Sequence, residues 1–276
     1  MLLNESLTTE LAKLRNDNFI EDKEDIIAKL SKLLIQSIAK RKSEEKIAIA
    51  FSGGIDSTLI AYICEKLNQP FSLYTIGFEY SKDMVSAEAV AKEMNWELNK
   101  IILRQDQIER LCKEVIAITK KNDPITVGVG IVTLSVAKEA KENILFTGLG
   151  SEEIFAGYER HKGNVHEECW KGLLDIFDRD IKRDLSIGKN FSKELRLPFL
   201  DKELIEFSMQ IKSELKVQEF RKQILREAAL SLGLQKEIAF RKKCAAQYGS
   251  KVDKAIEKLA KEKGMKKKEY LVSLNN

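Results

Sequence analysis

A chain of 276 residues with 43% hydrophobic composition can bury one large core or two modest ones. Its 47 basic and 43 acidic residues leave a formal net charge of +4, too small to argue for a nucleic-acid partner, because a solvated mixed-charge surface gives the same balance. The four cysteines, Cys64, Cys112, Cys169 and Cys244, form no C-x-x-C pair, which speaks against a zinc ribbon and against paired-cysteine sulfur chemistry. With no signal peptide, and no apolar run near the roughly 18 residues that span a bilayer, the sequence is read as cytoplasmic, without a membrane partner.

In chain order, Ile26, Ile27, Leu30, Leu33, Leu34 and Ile38 recur at helical spacing, so residues 24–40 are expected to form an amphipathic helix within an N-terminal extension, residues 1–45. From Ile47 short apolar runs alternate with longer helical stretches. Strands are expected at 46–51, 71–76, 99–103 and 144–148, and helices near 57–67, 83–95, 106–120 and 128–142. This βαβα rhythm over residues 46–160 predicts an α/β fold, a doubly wound parallel sheet with ligands beyond the carboxyl ends of its strands. Beyond Tyr158 the β pattern disappears. Helical periodicity recurs at 167–186, 201–211, 219–233, 249–262 and 266–273, predicting a helical C-terminal half over 161–276. The Lys-rich stretch Lys261 to Lys268 is read as a solvated helix end, with a nucleic-acid patch as the alternative.

Ser52-Gly53-Gly54-Ile55-Asp56-Ser57 stands between the apolar run Ile47-Ala48-Ile49-Ala50-Phe51 and the helical run Thr58-Leu59-Ile60-Ala61-Tyr62. It reads as strand, turn and helix start. Glycines let the backbone approach an anion, and the free N–H groups of a helix N-terminus favour phosphate. In a plain turn the Asp and Ser would only cap the helix. Two hydroxyls, two glycines and a carboxylate within six positions favour phosphate binding. The spacing is neither G-x-x-x-x-G-K-[ST] nor G-x-G-x-x-G. It is S-G-G-x-D-S.

That loop resembles the pyrophosphate-binding loop of the ATP pyrophosphatases, the PP-loop superfamily. Thr147-Gly148-Leu149-Gly150-Ser151-Glu152-Glu153-Ile154-Phe155-Ala156-Gly157-Tyr158 resembles the second nucleotide motif of the synthetase domain of asparagine synthetase. Arg196-Leu197-Pro198-Phe199-Leu200-Asp201 and Phe240-Arg241-Lys242-Lys243 agree with it. On four motifs in family order, the chain is identified as a member of the asparagine synthetase-like family. The apolar Leu149 and the later Ala245-Ala246-Gln247-Tyr248-Gly249-Ser250 resemble the asparagine synthetase domain-containing proteins.

The resemblance implies an adenine nucleotide alpha hydrolase-like fold and an ATP-dependent, AMP-forming amide ligase that adenylates a carboxylate and passes it to a nitrogen nucleophile. By matching motifs, Ser52, Gly53, Gly54, Asp56 and Ser57 enclose the pyrophosphate, and Phe51, Ile76, Thr147 and Gly148 border the adenosine, with plain strand core as the equal alternative for Phe51 and Ile76. Lys243 meets the leaving pyrophosphate and is, with Asp56, a catalytic residue; Arg241 and Lys242 are alternatives in the same basic cluster. An ionised carboxylate beside phosphate makes physical sense only with a bridging cation, so ATP and Mg²⁺ are the implied cofactors, with Asp56 and Glu152 as metal ligands. Asp83 matches an acidic family position, with a helix N-cap as the alternative. Leu149 replaces an active-site glutamate and excludes acid–base work there.

In the family a glutaminase domain opened by a cysteine precedes the synthetase domain. Here Leu2 stands second and about 45 residues precede the first strand, too few for such a core. The expected partners are therefore a small-molecule carboxylate, with free ammonia or a separate glutaminase subunit supplying nitrogen. Two other readings stand beside the ligase: an ATP-binding regulatory subunit that has lost catalysis, suggested by Leu149, and a PP-loop tRNA-modifying enzyme.

Overall fold

The computed structural model describes residues 6–16, 18–159, 161, 163–241 and 246–274. The elements run α1 Leu7–Ala12, α2 Lys23–Ala39, β1 Ile47–Ala50, α3 Ile55–Lys66, β2 Phe71–Gly77, α4 Lys82–Glu93, β3 Leu98–Ile102, α5 Ile108–Thr119, α6 Pro124–Glu139 and β4 Ile144–Phe146. They continue with α7 Ser151–Ile154, α8 Val165–Ile176, α9 Lys182–Asn190, β5 Glu194–Arg196, α10 Lys202–Gln210, α11 Ser213–Lys216, α12 Gln223–Ser231, α13 Lys236–Ala239, α14 Ala246–Gly249, α15 Val252–Glu262 and α16 Lys267–Ser273.

Five strands form one parallel sheet in the order β3-β2-β1-β4-β5. The chain winds outward from β1 through β2 to β3, then returns to place β4 on the other side of β1. That reversal between β1 and β4 opens a crevice at the carboxyl edge of the sheet. Ile47 pairs with Phe71 and Ile49 with Leu73 on one side, and Ala48 with Leu145 on the other.

Both faces of β1 are covered, which is why its four residues read as an unbroken apolar run. Ile47, Ile49, Phe51 and Phe146 point into a core shared with Leu30 and Leu34 of α2, Leu59 of α3 and Leu225 of α12. Ala48, Tyr74, Ile76, Leu145 and Leu195 point the other way, against Val115 of α5, Ile131 of α6 and Ile256 of α15. Helices dominate beyond Tyr158, as the periodicity predicts.

The structure departs from the sequence reading in three places. A strand does exist beyond Tyr158: β5 pairs Leu195 with Leu145 and Arg196 with Phe146. It is an edge strand of three residues with one apolar side chain, held by its neighbour rather than by its own pattern. The helix expected over 167–186 is interrupted by a π-helical turn, Phe177–Ile181, between α8 and α9. The short α1 packs Leu7 and Leu11 into the core ahead of α2.

The Arg196–Asp201 motif braces the crevice from below. Arg196 grips Glu194 and donates to the carbonyls of Arg41 and Lys42 at 2.7 and 2.9 Å. Asp201 accepts from Arg41 at 3.1 Å, fastening the end of α2. Leu200 lies directly beneath Gly150, fixing the loop that follows β4.

Candidate active site

At the carboxyl end of β1 the chain turns through Ser52–Gly54 into α3. Gly53 has φ +66, and a Cβ there would lie 2.6 Å from the backbone of Ser86 in α4, so no other residue fits without moving that helix. Hydroxyls hold the loop shut. Ser57 Oγ donates to the Gly54 carbonyl at 3.3 Å, Gly54 N–H donates to Ser52 Oγ at 3.4 Å, and Ser86 Oγ donates to the Gly53 carbonyl at 3.3 Å. No side chain caps α3, a twelve-residue helix whose N-cap is Gly54. Its first amides, and the positive end of its dipole, face the crevice as an anion cradle.

Across the crevice, β4 leads through Thr147–Gly150 into α7. This second loop sets Ser151 and Glu152 opposite Asp56. Ser151 Oγ donates to Asp56 Oδ1 at 2.6 Å. A third group, unforeseen in the sequence, completes the cluster: Lys222, immediately before α12, places Nζ 2.8 and 2.9 Å from the two carboxylate oxygens of Asp56, 3.0 Å from Glu152 Oε1 and 3.2 Å from Ser151 Oγ. Asp56 and Lys222 are each 4% exposed. Gly157 gives them room, since a Cβ there would stand 1.7 Å from Glu152 Oε2 and 2.3 Å from Lys222 Cε.

Two carboxylates within 3.0 Å of one nitrogen converge on a single cationic point. Mg²⁺ is commonly held by one or two carboxylates together with substrate phosphates. The donor set therefore fits such an ion beside a bound triphosphate. Among the described residues there is no group of three or more His, Cys, Asp or Glu side chains that would hold a metal without that help.

The crevice continues as a cavity of about 230 Å³ lined by Phe51, Ser52, Asp56, Ser57 and Ile76 on one side and Thr147, Gly148, Leu149 and Glu152 on the other. Phe51 is held edge-on to Trp96, ring centroids 6.2 Å apart. The sequence-predicted residues of the two loops and of β2 thus meet at one edge. Asp83 also lines the cavity, and Gly249 lies against its carboxylate; the Gly249–Ser250 segment docks on the end of β2 through a hydrogen bond from Phe78 N–H to the Ser250 carbonyl, 3.1 Å. Lys243 and Lys242 lie outside the described residues. Arg241 directs its guanidinium to Glu93, 3.8 Å away.

At its far end the cavity meets an ionic array built by the π turn and α9. Arg183 donates through Nε and one terminal nitrogen to Asp184, at 2.8 and 3.1 Å, and through the other to Asp180 at 2.8 Å. Thr133 of α6 donates to Asp184 at 3.0 Å. Burial opposes the charge on Arg183, but Asp184 and Asp180 outweigh it and hold its pKa above the ordinary value. Behind this array Glu153 accepts from Tyr158 at 2.9 Å and from Arg179 at 2.5 Å. Burial raises the Glu153 pKa despite the Arg179 charge. Val129, Val132 and Leu149 add apolar surface to the same cavity.

A parallel sheet of order β3-β2-β1-β4-β5, with two glycine-bearing loops at its switch point and the carboxylates of Asp56 and Glu152 between them, defines an α/β domain with a crevice where such folds take ligands. The family model for asparagine synthase matches residues 29–186 and 162–272, and the chain belongs to that family. It is 32% identical over 288 residues to "Putative asparagine synthetase (glutamine-hydrolyzing) 1" of Methanocaldococcus jannaschii, covering 87% of this chain and 52% of that protein. To the asparagine synthetase (glutamine-hydrolyzing) of Gallus gallus it is 28% identical, covering 83% and 44%. The chain spans about half the length of these curated relatives. Among solved structures it is similar to an NMN synthetase from Francisella tularensis, with TM-score 0.44, 17% identity and coverage of 93% and 87%.

Proposed function

We propose that this chain is an ATP-dependent, AMP-forming amide ligase that adenylates a small carboxylate and transfers the acyl group to a nitrogen nucleophile. The observation that carries the reading is the meeting of the Ser52–Ser57 cradle with Asp56 and Glu152 at the switch point of the sheet. Family membership supports it independently.

A carboxylate acylates poorly because oxide is a bad leaving group, and adenylation replaces it with AMP. The protein's task is chiefly to hold geometry and offset charge. The amides at the start of α3 and the hydroxyls of Ser52 and Ser57 receive the pyrophosphate portion. Lys222 and Arg226 supply positive charge beside it, and Lys243 is assigned the same task by its motif. A divalent ion on Asp56 and Glu152 would offset phosphate charge as the α–β bond breaks. Phe51 and Ile76 form an apolar wall for the base. The carboxylate then lies toward Leu149, Val129 and Val132, ahead of the Arg183 array.

Ammonia, or a separate glutaminase, supplies the nitrogen in this reading; the relatives named above are glutamine-hydrolyzing over a length twice that matched here. The reading gives nucleic acid no part; in the Lys-rich stretch, Lys261 pairs with Glu257 at 2.7 Å and Lys267 with Asp253 at 2.5 Å. Incubation with ATP, Mg²⁺ and a panel of carboxylates and amines is expected to release pyrophosphate and AMP. Asp56→Asn lowers that release by about 10²-fold or more; full turnover in the variant would sink the mechanism. A second reading, an ATP-binding subunit without catalysis, is favoured by one observation, the non-protic Leu149 in the cavity wall. It predicts ATP binding with no substrate-dependent pyrophosphate from any pair.

A further inference from the structure

We propose that Lys222 is a resident cation that closes the carboxylate pair to metal until nucleotide arrives, so that the divalent ion enters only together with phosphate. The inference rests on the reading of Asp56 and Glu152 as the cation-binding pair.

The ammonium stands where the two carboxylates converge, at 2.8 and 2.9 Å from both oxygens of Asp56 and 3.0 Å from Glu152. A dication cannot share that point. Two positive centres at such a distance, in a site this buried, repel strongly because little water screens them. Arg226, one turn further along α12 and 6% exposed, adds to the barrier: its guanidinium is held by the carbonyls of Arg221, Ala239 and Arg241, while its charge acts on Asp56 and Glu152.

The chain is built to keep the ammonium there. Gly157 leaves space that any Cβ would take from the Glu152–Lys222 contact. Lys222 adopts φ +57 and ψ +33, a left-handed conformation uncommon for a residue with a long side chain, immediately before α12 begins. Its four-carbon stem can turn the charge to a new acceptor while the backbone stays fixed. Phosphate oxygens supply that acceptor. When they draw the ammonium away, the pair is left with uncompensated negative charge, which a dication restores, so exchange keeps the buried site close to neutral whereas removal of the ammonium alone does not.

The test is Mn²⁺ uptake by the full chain, read from the electron paramagnetic resonance signal of the free ion. Without nucleotide the unaltered protein is expected to leave the signal unchanged. With ATP, against a protein-free ATP control, it takes Mn²⁺ up. Lys222→Met is expected to bind Mn²⁺ without nucleotide at least about tenfold more tightly than the unaltered protein, and Lys222→Gln, which keeps a donor for Asp56, shows the same direction if the Met variant does not fold. Nucleotide-free uptake by the unaltered protein as tight as that of the variants overturns the proposal, as does absence of uptake in both variants once folded. Should Mn²⁺ fail to bind even with ATP, the reading of the carboxylate pair falls, and this inference with it. The unaltered protein alone decides the matter if neither variant folds, because nucleotide-free uptake refutes the closure.

Discussion

Gly53 offers a measurement in which steric and conformational terms separate. Gly53 and Gly264 have nearly the same backbone angle, φ +66 and +67, but a Cβ at Gly53 meets the Ser86 carbonyl at 2.6 Å and Ala87 N at 2.7 Å, while at Gly264 nothing lies within 4 Å. An alanine at either position bears left-handed strain of about 1–2 kcal/mol. Either substitution also restricts the unfolded chain, which returns about 0.4–1 kcal/mol. These terms cancel in the comparison. What remains for Gly53→Ala is the displacement of α4, an overpacking cost of about 1–3 kcal/mol, because backbone and not a flexible side chain stands in the way. Guanidinium unfolding followed by tryptophan fluorescence is the assay, with Trp96 lying edge-on to Phe51 beside the loop. Gly53→Ala is expected to lose about 1–3 kcal/mol more than Gly264→Ala. Equal losses, within about 0.5 kcal/mol, would refute the claim that contact with α4 imposes glycine in the loop.

Arg183→Leu removes the partner of two buried carboxylates and is expected to destabilise by about 3–5 kcal/mol in equilibrium unfolding, with Arg183→Leu/Asp184→Leu recovering part of the loss. Burial depresses the Lys216 pKa from 10.5 to about 8. Between those values the unfolded chain binds the extra proton, so stability rises with pH across that window and the burial cost is fully present below it. Lys216→Met is therefore expected to be the more stable protein at pH 7, by roughly 3 kcal/mol, with the advantage fading toward pH 11; a pH-independent difference would refute the assignment.

Four strands were legible: β1, β2 and β4 are buried on both faces and run largely apolar, Ile47–Ala50 being the plainest, while the partly exposed edge strand β3 ends on the apolar pair Ile101-Ile102. β5 was not, since Glu194 and Arg196 flank one apolar residue and the pairing with β4 is decided by neighbours rather than by local pattern. The π turn was hidden for another reason: periodicity over 167–186 continues through it, and a change of one residue in helical phase leaves no compositional mark. In the site, the glycines, hydroxyls and carboxylates of the two loops were readable because they stand at short spacing directly after strands. Lys222 carried no such signal. Its partner Asp56 is 166 residues away, and neither its left-handed backbone nor the space left by Gly157 can be read from Phe220-Arg221-Lys222-Gln223. Arg183 and Asp184 were likewise indistinguishable from surface charge on an amphipathic helix.

That separation of 166 residues also sets a schedule for the chain during its synthesis. At roughly 5–20 residues per second, about 8–33 s pass between emergence of the first loop and emergence of the lysine that neutralises it. Throughout that interval Asp56 must remain hydrated, so the crevice edge of the sheet stays wet and unconsolidated while the outer strands assemble. The crevice around Asp56 therefore stays open to solvent until Lys222 has been made, and a late segment of the chain seals an early one.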